Sequence, residues 1–533
     1  MRYRAENSPL WSQAQSLWFD DRLPINFTPN KADQAQQYRG SIVKLASHTT
    51  YEIQVLMVPS GEMITTTAKT WNETYPVLRT VELTGIVKDT ISLSESGSPN
   101  GYIVLTAETG SVSDVAGLKD YNILITGSYI IVRGLTLKNA AWHGIFLGPN
   151  SHDIVIEDCD ISGWGRVAPD ELSQLNNFGM NQDSAISNGR GGTALNTRLV
   201  IQRNRLHHPR PTANNWAQNR QDYDPKEKLA FTPAGAPVMN PHPIGPQAIS
   251  ITNSSGNNVI RYNNIYSDDL HHFNDSMGGG GTNFSFDGFP GRDSDIYGNN
   301  ISYCWDDGIE SEGGNMNVRI FENYVDRAYK MIAISPVSIG PAYVFRNVVF
   351  RGARVPDPIA GLKGTAFIKA QARPDKNEPN YFYGKGRVYV YNNTLLAAVV
   401  NGVNQGVELG ITRTSATLYN YVVRNNILNA LHVAIDDSTN MTGDPSNLNR
   451  NDYDRDLYQY GMNINRVIQE KNAILAAPVY DADSPSGPFT LCAGSPGQDQ
   501  GFVIPNFTDG FIGAAPDIGA QERGASPLKF GAR

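Results

Sequence analysis

Residues 287–330 read DGFPGRDSDIYGNNISYCWDDGIESEGGNMNVRIFENYVDRAYK. Two segments in this stretch, Ser294 to Ile301 and Asn317 to Tyr324, share an alternating apolar pattern that ends on asparagine. Alternation of this kind predicts short strands with one buried side. Between them stand Asp306, Asp307, Glu310 and Glu312, four carboxylates within seven residues. Gathering like charges costs free energy, so they either face water, hold a cation or perform acid–base chemistry.

Working outward, the unit apolar-x-apolar-x-x-Asn-x-apolar recurs. It appears as Val200 to Leu206, Val259 to Ile265, Tyr343 to Val349, Val388 to Leu395 and Val422 to Leu428, with Gly134 and Asp160 at the corresponding place in two earlier copies. The period near 24 residues predicts a solenoid in which each strand pairs in parallel with its counterpart one turn on. Asparagine at the bend tolerates left-handed backbone, and its amide can bond the next asparagine in a ladder. The expected fold is all-β: a right-handed parallel β-helix over residues 86–533, preceded by a small β module over 1–85. Loops are expected to leave the coil at 164–246, around one coil turn from Leu199 to Leu206, and at 448–480, the latter with a helix. Ala515 to Glu522 reads as a closing segment.

Composition agrees. The chain has 533 residues, 40% of them apolar, and a net charge of −8 without a basic block, which argues against nucleic acid as a partner. Cys159, Cys304 and Cys492 are too few and too scattered for a disulfide framework. No apolar run has transmembrane length and no signal core opens the chain. Export, with a signal peptide absent from this chain, stays the expectation for an enzyme acting on a polymer. In the first module, Ser41 to Leu45, Thr49 to Met57 and the Thr-rich run from Met63 read as strands, and the pattern around Thr49 to Val55 resembles the later half of a fibronectin type III sandwich.

A β-helix offers a long groove in which outward residues of neighbouring turns stand about 4.8 Å apart. Carboxylates can thus approach one another without sequence adjacency, as glycosidic cleavage requires. Asp287 lies in Phe286-Asp287-Gly288-Phe289, Asp306 and Asp307 follow at about one turn, and Lys330 one turn further. The Asp-Gly-Phe followed by Asp-Asp-Gly-Ile resembles the polygalacturonase-type glycoside hydrolases. That resemblance implies Asp287 and Asp307 on the base side and Asp306 on the acid side, or the reverse; Glu310 is a further candidate to activate water. Where that family has His-Gly, this chain has Tyr329-Lys330-Met331. A second resemblance, to calcium-dependent pectate lyases of the same superfold, implies that Asp306, Asp307, Glu310 and Asp287 bind Ca2+ and that Lys330 is the base. Trp305, Glu312, His271, His272 and Arg346 are candidate substrate contacts. Gly278 to Gly281 lacks a following Lys-Ser/Thr and reads as a flexible loop rather than a phosphate cradle. The expected function is polysaccharide cleavage, by a hydrolase needing no cofactor or alternatively by a Ca2+-dependent lyase. A non-catalytic carbohydrate-binding β-helix is the third reading.

Overall fold

The structure is a computed structural model. It describes all residues except 59, 170, 190–194, 219, 222–238, 241, 253, 280–282, 354–363, 375–376, 379, 401–402, 414–417, 438–449, 460–464, 467–469, 485–486 and 533. Strands of two to eleven residues coil into a right-handed parallel β-helix, the hand that parallel crossovers adopt almost without exception. One side is a 12-stranded sheet running from Val77–Leu83 to Asp452–Asp454, every strand parallel to the next. The other two sides form a 23-stranded sheet in two rows, joined where Asn300–Glu310 and Tyr324–Ile334 run through both.

Like residues stack at inward positions. Ile296, Ile320, Val344, Val390 and Val423 form one column, and Ile309, Ile332, Ile368 and Ile411 another, all fully buried in one continuous core. Burying each such side chain stabilises the coil by about 1.5–3 kcal/mol.

One corner is held by an asparagine ladder. Asn204, Asn263, Asn299, Asn323, Asn347, Asn393 and Asn426 are buried, and the amide oxygen of each, from Asn263 onward, accepts from the backbone N–H and the side-chain Nδ2 of the one before. Asp456 continues the ladder beyond Asn426, while Cys159 donates its backbone N–H to Asn204 at the start. The ladder uses the first asparagine of the pairs 263/264 and 299/300, hence Asn299 rather than Asn300, and the second of the pairs 392/393 and 425/426. It also puts Cys159, not Asp160, in register with Asn204. The left-handed residue is the one before each ladder asparagine: Arg203, Tyr262, Glu322, Arg346, Asn392 and Asn425 all have φ between 51° and 60°. That conformation costs about 1–2 kcal/mol per non-glycine residue, which the buried amide bonds offset.

The coil begins earlier than residue 86, because Val77–Leu83 already pairs in parallel with Tyr102–Ala107. Among the described residues before it, Ser12–Gln13, Arg2–Ala5, Thr50–Leu56 and Met63–Lys69 form a four-stranded antiparallel sheet, with Trp18–Phe19 and Tyr38–Arg39 as a separate pair. These six strands do not make the seven-stranded sandwich of a fibronectin-like module, because the segment buries itself against the coil. Arg22 donates to the carbonyls of Ser338 and Ile339, and Phe27 packs on Phe286. Within region 164–246 the turn read at Leu199 to Leu206 is in the coil, through Thr197–Gln202, and Ser184–Ser187, read as loop, is a coil strand as well. Near the C-terminus, Asp452–Asp454, Leu457–Tyr458 and Ile474–Leu475 are coil strands where a loop with a helix was expected. The closing segment folds back on the coil, with Gly519 N–H on the Asn425 carbonyl and Ala520 N–H on Thr394 Oγ1.

Replacing Asn323 by alanine removes the acceptor of the Asn299 N–H, one of the two acceptors of the Asn299 amide, and the side-chain donor to the Ile296 carbonyl. At about 1–3 kcal/mol per stranded buried group, Asn323→Ala will markedly lower the calorimetric melting temperature. Asn176→Ala on the exposed surface helix should change stability by no more than ~0.5 kcal/mol; equal effects would refute a structural role for the ladder.

Candidate active site

The coil bends between its second and third rows at Tyr303 and Arg327, both left-handed (φ 68° and 54°) and stacked through the guanidinium. Directly after this bend the register slips. Cys304 pairs with Ala328 and Asp307 with Lys330, so Trp305 and Asp306 together oppose Tyr329. A bulge of this kind re-aims side chains. Here it falls at Trp305 and Asp306, immediately before Asp307 on the third row.

The preceding turn supplies a partner that reading by a fixed turn length misses. Met277 and Gly278 pair with Ile309 and Glu310, so Asp275 lies against Asp307. The Asp307 N–H donates to Asp275 Oδ1 over 3.0 Å, and Gln247 and Asn274 amides donate to its Oδ2. The turn from Asp275 to Asp307 is 32 residues long. Asp287 sits in the loop within that turn, with its side chain 76% exposed and ion-paired to Lys31 of the N-terminal segment. Asp275 therefore stands where Asp287 was expected. The sequence carried a signal for it, since Asn274-Asp275 closes the polar cluster that begins at Ser267.

Asp275, Asp306 and Asp307 converge so that one oxygen from each lies within 4.8 Å of the others, and Asp307, Glu310 and Glu312 do the same. Asp307 belongs to both groups. Gly278 makes room: a Cβ there would lie 2.5 Å from Glu310 Oε2. Two lysines face the carboxylates. Lys330 pairs in register with Asp307, and its Nζ donates to the Gly364 carbonyl over 2.7 Å. Lys369, which no motif announced, arrives two turns after Glu310 through Ala333; its Nζ is 2.6 Å from Asp307 Oδ2 and 3.1 Å from Glu312 Oε1.

Burial, reinforced by the neighbouring charges, pushes the carboxyls of Asp275, Asp306 and Glu310 well above their usual range. Burial also raises Glu312, to about 8, against the pull of Lys369. At Lys369 burial disfavours the charge, but Asp307, Glu312, Asp306 and Glu310 together hold the ammonium well above its ordinary value. Lys330 moves the other way, lowered to about 8 chiefly by burial.

Aromatic groups flank the carboxylates. His272 stacks on Trp305 with centroids 4.0 Å apart, and burial lowers its imidazole to about 4. Trp216 leans on both His242 and Tyr329, and His242 Nε2 is 3.5 Å from Asp306 Oδ2. Trp216 and His242 come from the 164–246 region and were not singled out by sequence. His271 and Arg346 are not in the group. His271 pairs with Asp268 near His208. Arg346 lies at the asparagine corner, donating to the Ala520 carbonyl. Gly280 and Gly281 of the glycine run lie outside the described residues.

No family model matches the sequence, and no curated protein matches it. Among solved structures, the fold is similar to pectate lyase Pel9A, at 13% identity over 83% of this chain and 85% of that one, with a TM-score of 0.38. It is also similar to the PL6 family alginate lyase AlyGC, at 13% identity over 84% of this chain and 57% of that one, with a TM-score of 0.44.

The elevated Glu312 carboxyl has a measurable consequence. Between its ordinary value of 4.5 and about 8, the folded protein keeps a proton that the unfolded chain releases. Stability therefore falls as pH rises through this window. In EDTA the Glu312→Gln variant should lose less melting temperature than wild type over that range. An equal or steeper loss in the variant would place the proton elsewhere.

Proposed function

We propose that the protein is a polysaccharide lyase that cleaves a uronate-bearing polymer by cation-assisted β-elimination. The observation that supports this reading is Lys330: a buried amine in register with Asp307, beside a group of carboxylates that converge on common points. Its Nζ donates to a backbone carbonyl, and burial lowers its pKa to about 8. A neutral fraction is thus present near neutral pH, as a general base requires.

The donor set fits a hard divalent cation such as Ca2+, because every candidate ligand atom is a carboxylate oxygen. The buried Asp307 Oδ1 and Glu310 Oε2 have no hydrogen-bond partner among the described residues. Asp275, Asp306 and Asp307 would hold the ion, which when bound would neutralise the uronate carboxylate and acidify the proton on the adjacent carbon. Lys330 takes that C5 proton, the electron pair forms the C4–C5 double bond, and the C4–O bond breaks with water protonating the leaving oxygen. Lys369 stays charged and balances Asp307 and Glu312. Trp305 and Trp216 offer flat faces to sugar rings on either side. A polymeric substrate places this work outside the cytoplasm. Among the described residues no helix is long and apolar enough to cross a membrane.

Hydrolysis by paired carboxylates is the second reading, favoured by the upward-shifted Asp306 as proton donor. It fits the geometry less well. Oxygens meeting within 4.8 Å suit a shared cation, whereas a glycosidase separates its two carboxyl groups by roughly 5–9.5 Å to admit the sugar and water.

Digestion of pectate, alginate and neutral glycans should yield ultraviolet-absorbing unsaturated ends from a uronate polymer only. EDTA should abolish the signal and added Ca2+ should restore it. Lys330→Met should lower kcat by about 10²–10⁴-fold while retaining polymer binding. Reducing ends without absorbance, insensitive to EDTA, would establish hydrolysis instead.

A further inference from the structure

The two carboxylate groups form a double site. Asp275, Asp306 and Asp307 make one half, and Asp307, Glu310 and Glu312 the other, with Asp307 common to both. Shared carboxylates of this kind bridge paired metal ions about 3.5–4 Å apart in two-metal sites. Here the two oxygens of Asp307 have different partners. Oδ2 receives the Lys369 ammonium at 2.6 Å, while the buried Oδ1 has no hydrogen-bond partner among the described residues. Asp307 is 1% exposed and Glu312 fully buried, and the Lys369 side chain between them is 17% exposed.

We propose that Lys369 is a built-in counter-cation that occupies the second half of the double site and restricts the protein to one divalent ion. This rests on the reading above that the first half takes a divalent cation. The ammonium is carried by the strand Ala366–Ala370, whose register against Tyr324–Ile334 sets the position from which the side chain reaches Asp307 and Glu312. It cannot diffuse away, and it meets the same oxygens that a second ion would need. Lys330, whose Nζ donates to the Gly364 carbonyl, has no carboxylate ion pair among the described residues.

The test is the stoichiometry of Ca2+ binding to the full chain, measured by equilibrium dialysis with atomic absorption, so no activity is needed. Wild type should bind one ion. Lys369→Met removes the ammonium at nearly constant volume and should bind two. Lys369→Arg keeps the charge and should bind one. Two ions on wild type, or one on folded Lys369→Met, would overturn the proposal while leaving the cation-assisted reading in place. No ion on wild type would overturn that reading itself. Should Lys369→Met not fold, Lys369→Arg decides, since two ions on that variant would show that a fixed charge does not block the second half.

Discussion

The asparagine ladder is the constraint on which the rest of this molecule depends. A solenoid with turns of unequal length has no intrinsic reason to keep its strands in register. The turns here range from 24 residues between Asn323 and Asn347 to 59 between Asn204 and Asn263. Each ladder amide satisfies a backbone N–H and a carbonyl of the preceding turn, so the corner repeats identically whatever the loops do in between. Loop length is then thermodynamically cheap. Long insertions can leave and rejoin the coil without shifting the columns of Ile, Val and Leu beneath.

That fixed register is what allows the site to exist. Asp275, Asp307 and Lys330 are neighbours because their turns stack, not because of their separations in the chain. The bulge at Trp305 and Asp306 then departs locally from the regular ladder, and the departure brings Asp306 to the same place. Folding gains nothing evident from the result. Five acidic side chains sit where water is scarce, four of them, Asp275, Asp306, Glu310 and Glu312, with elevated proton affinity, and Lys369, Lys330 and a few amide donors are among the groups that compensate them. A core of inward-stacked aliphatics as long as this one can carry such a penalty; a small domain could not.

The chain preceding the coil, and the region between residues 164 and 246, shape the surroundings. The first lies along the outer face of the 12-stranded sheet, where Tyr343, Phe345, Tyr389 and Tyr391 receive it. Its Lys31 also engages Asp287, which removes that aspartate from the chemistry. The second delivers Trp216 against Tyr329 and His242 beside Asp306. Both segments do by packing what sequence pattern does not announce, because neither is periodic.

The sequence by itself determined the solenoid. Alternating apolar residues and recurring asparagines can be satisfied together only if like strands stack, so the fold was legible from Val200 to Leu428. It also marked Asp306, Asp307, Glu310, Glu312 and Lys330, since four carboxylates beside a recurring strand have no packing role. Which carboxylate completes the group was decided by tertiary structure alone. A 32-residue turn brings Asp275 to Asp307 and leaves Asp287 in solvent, and turn length is not encoded in any local pattern. Lys369 was invisible for the same reason: it reaches Asp307 across two turns, a distance of 62 residues in sequence. Local periodicity fixes how strands repeat, whereas the outward neighbours of a given side chain depend on the summed lengths of the loops between them.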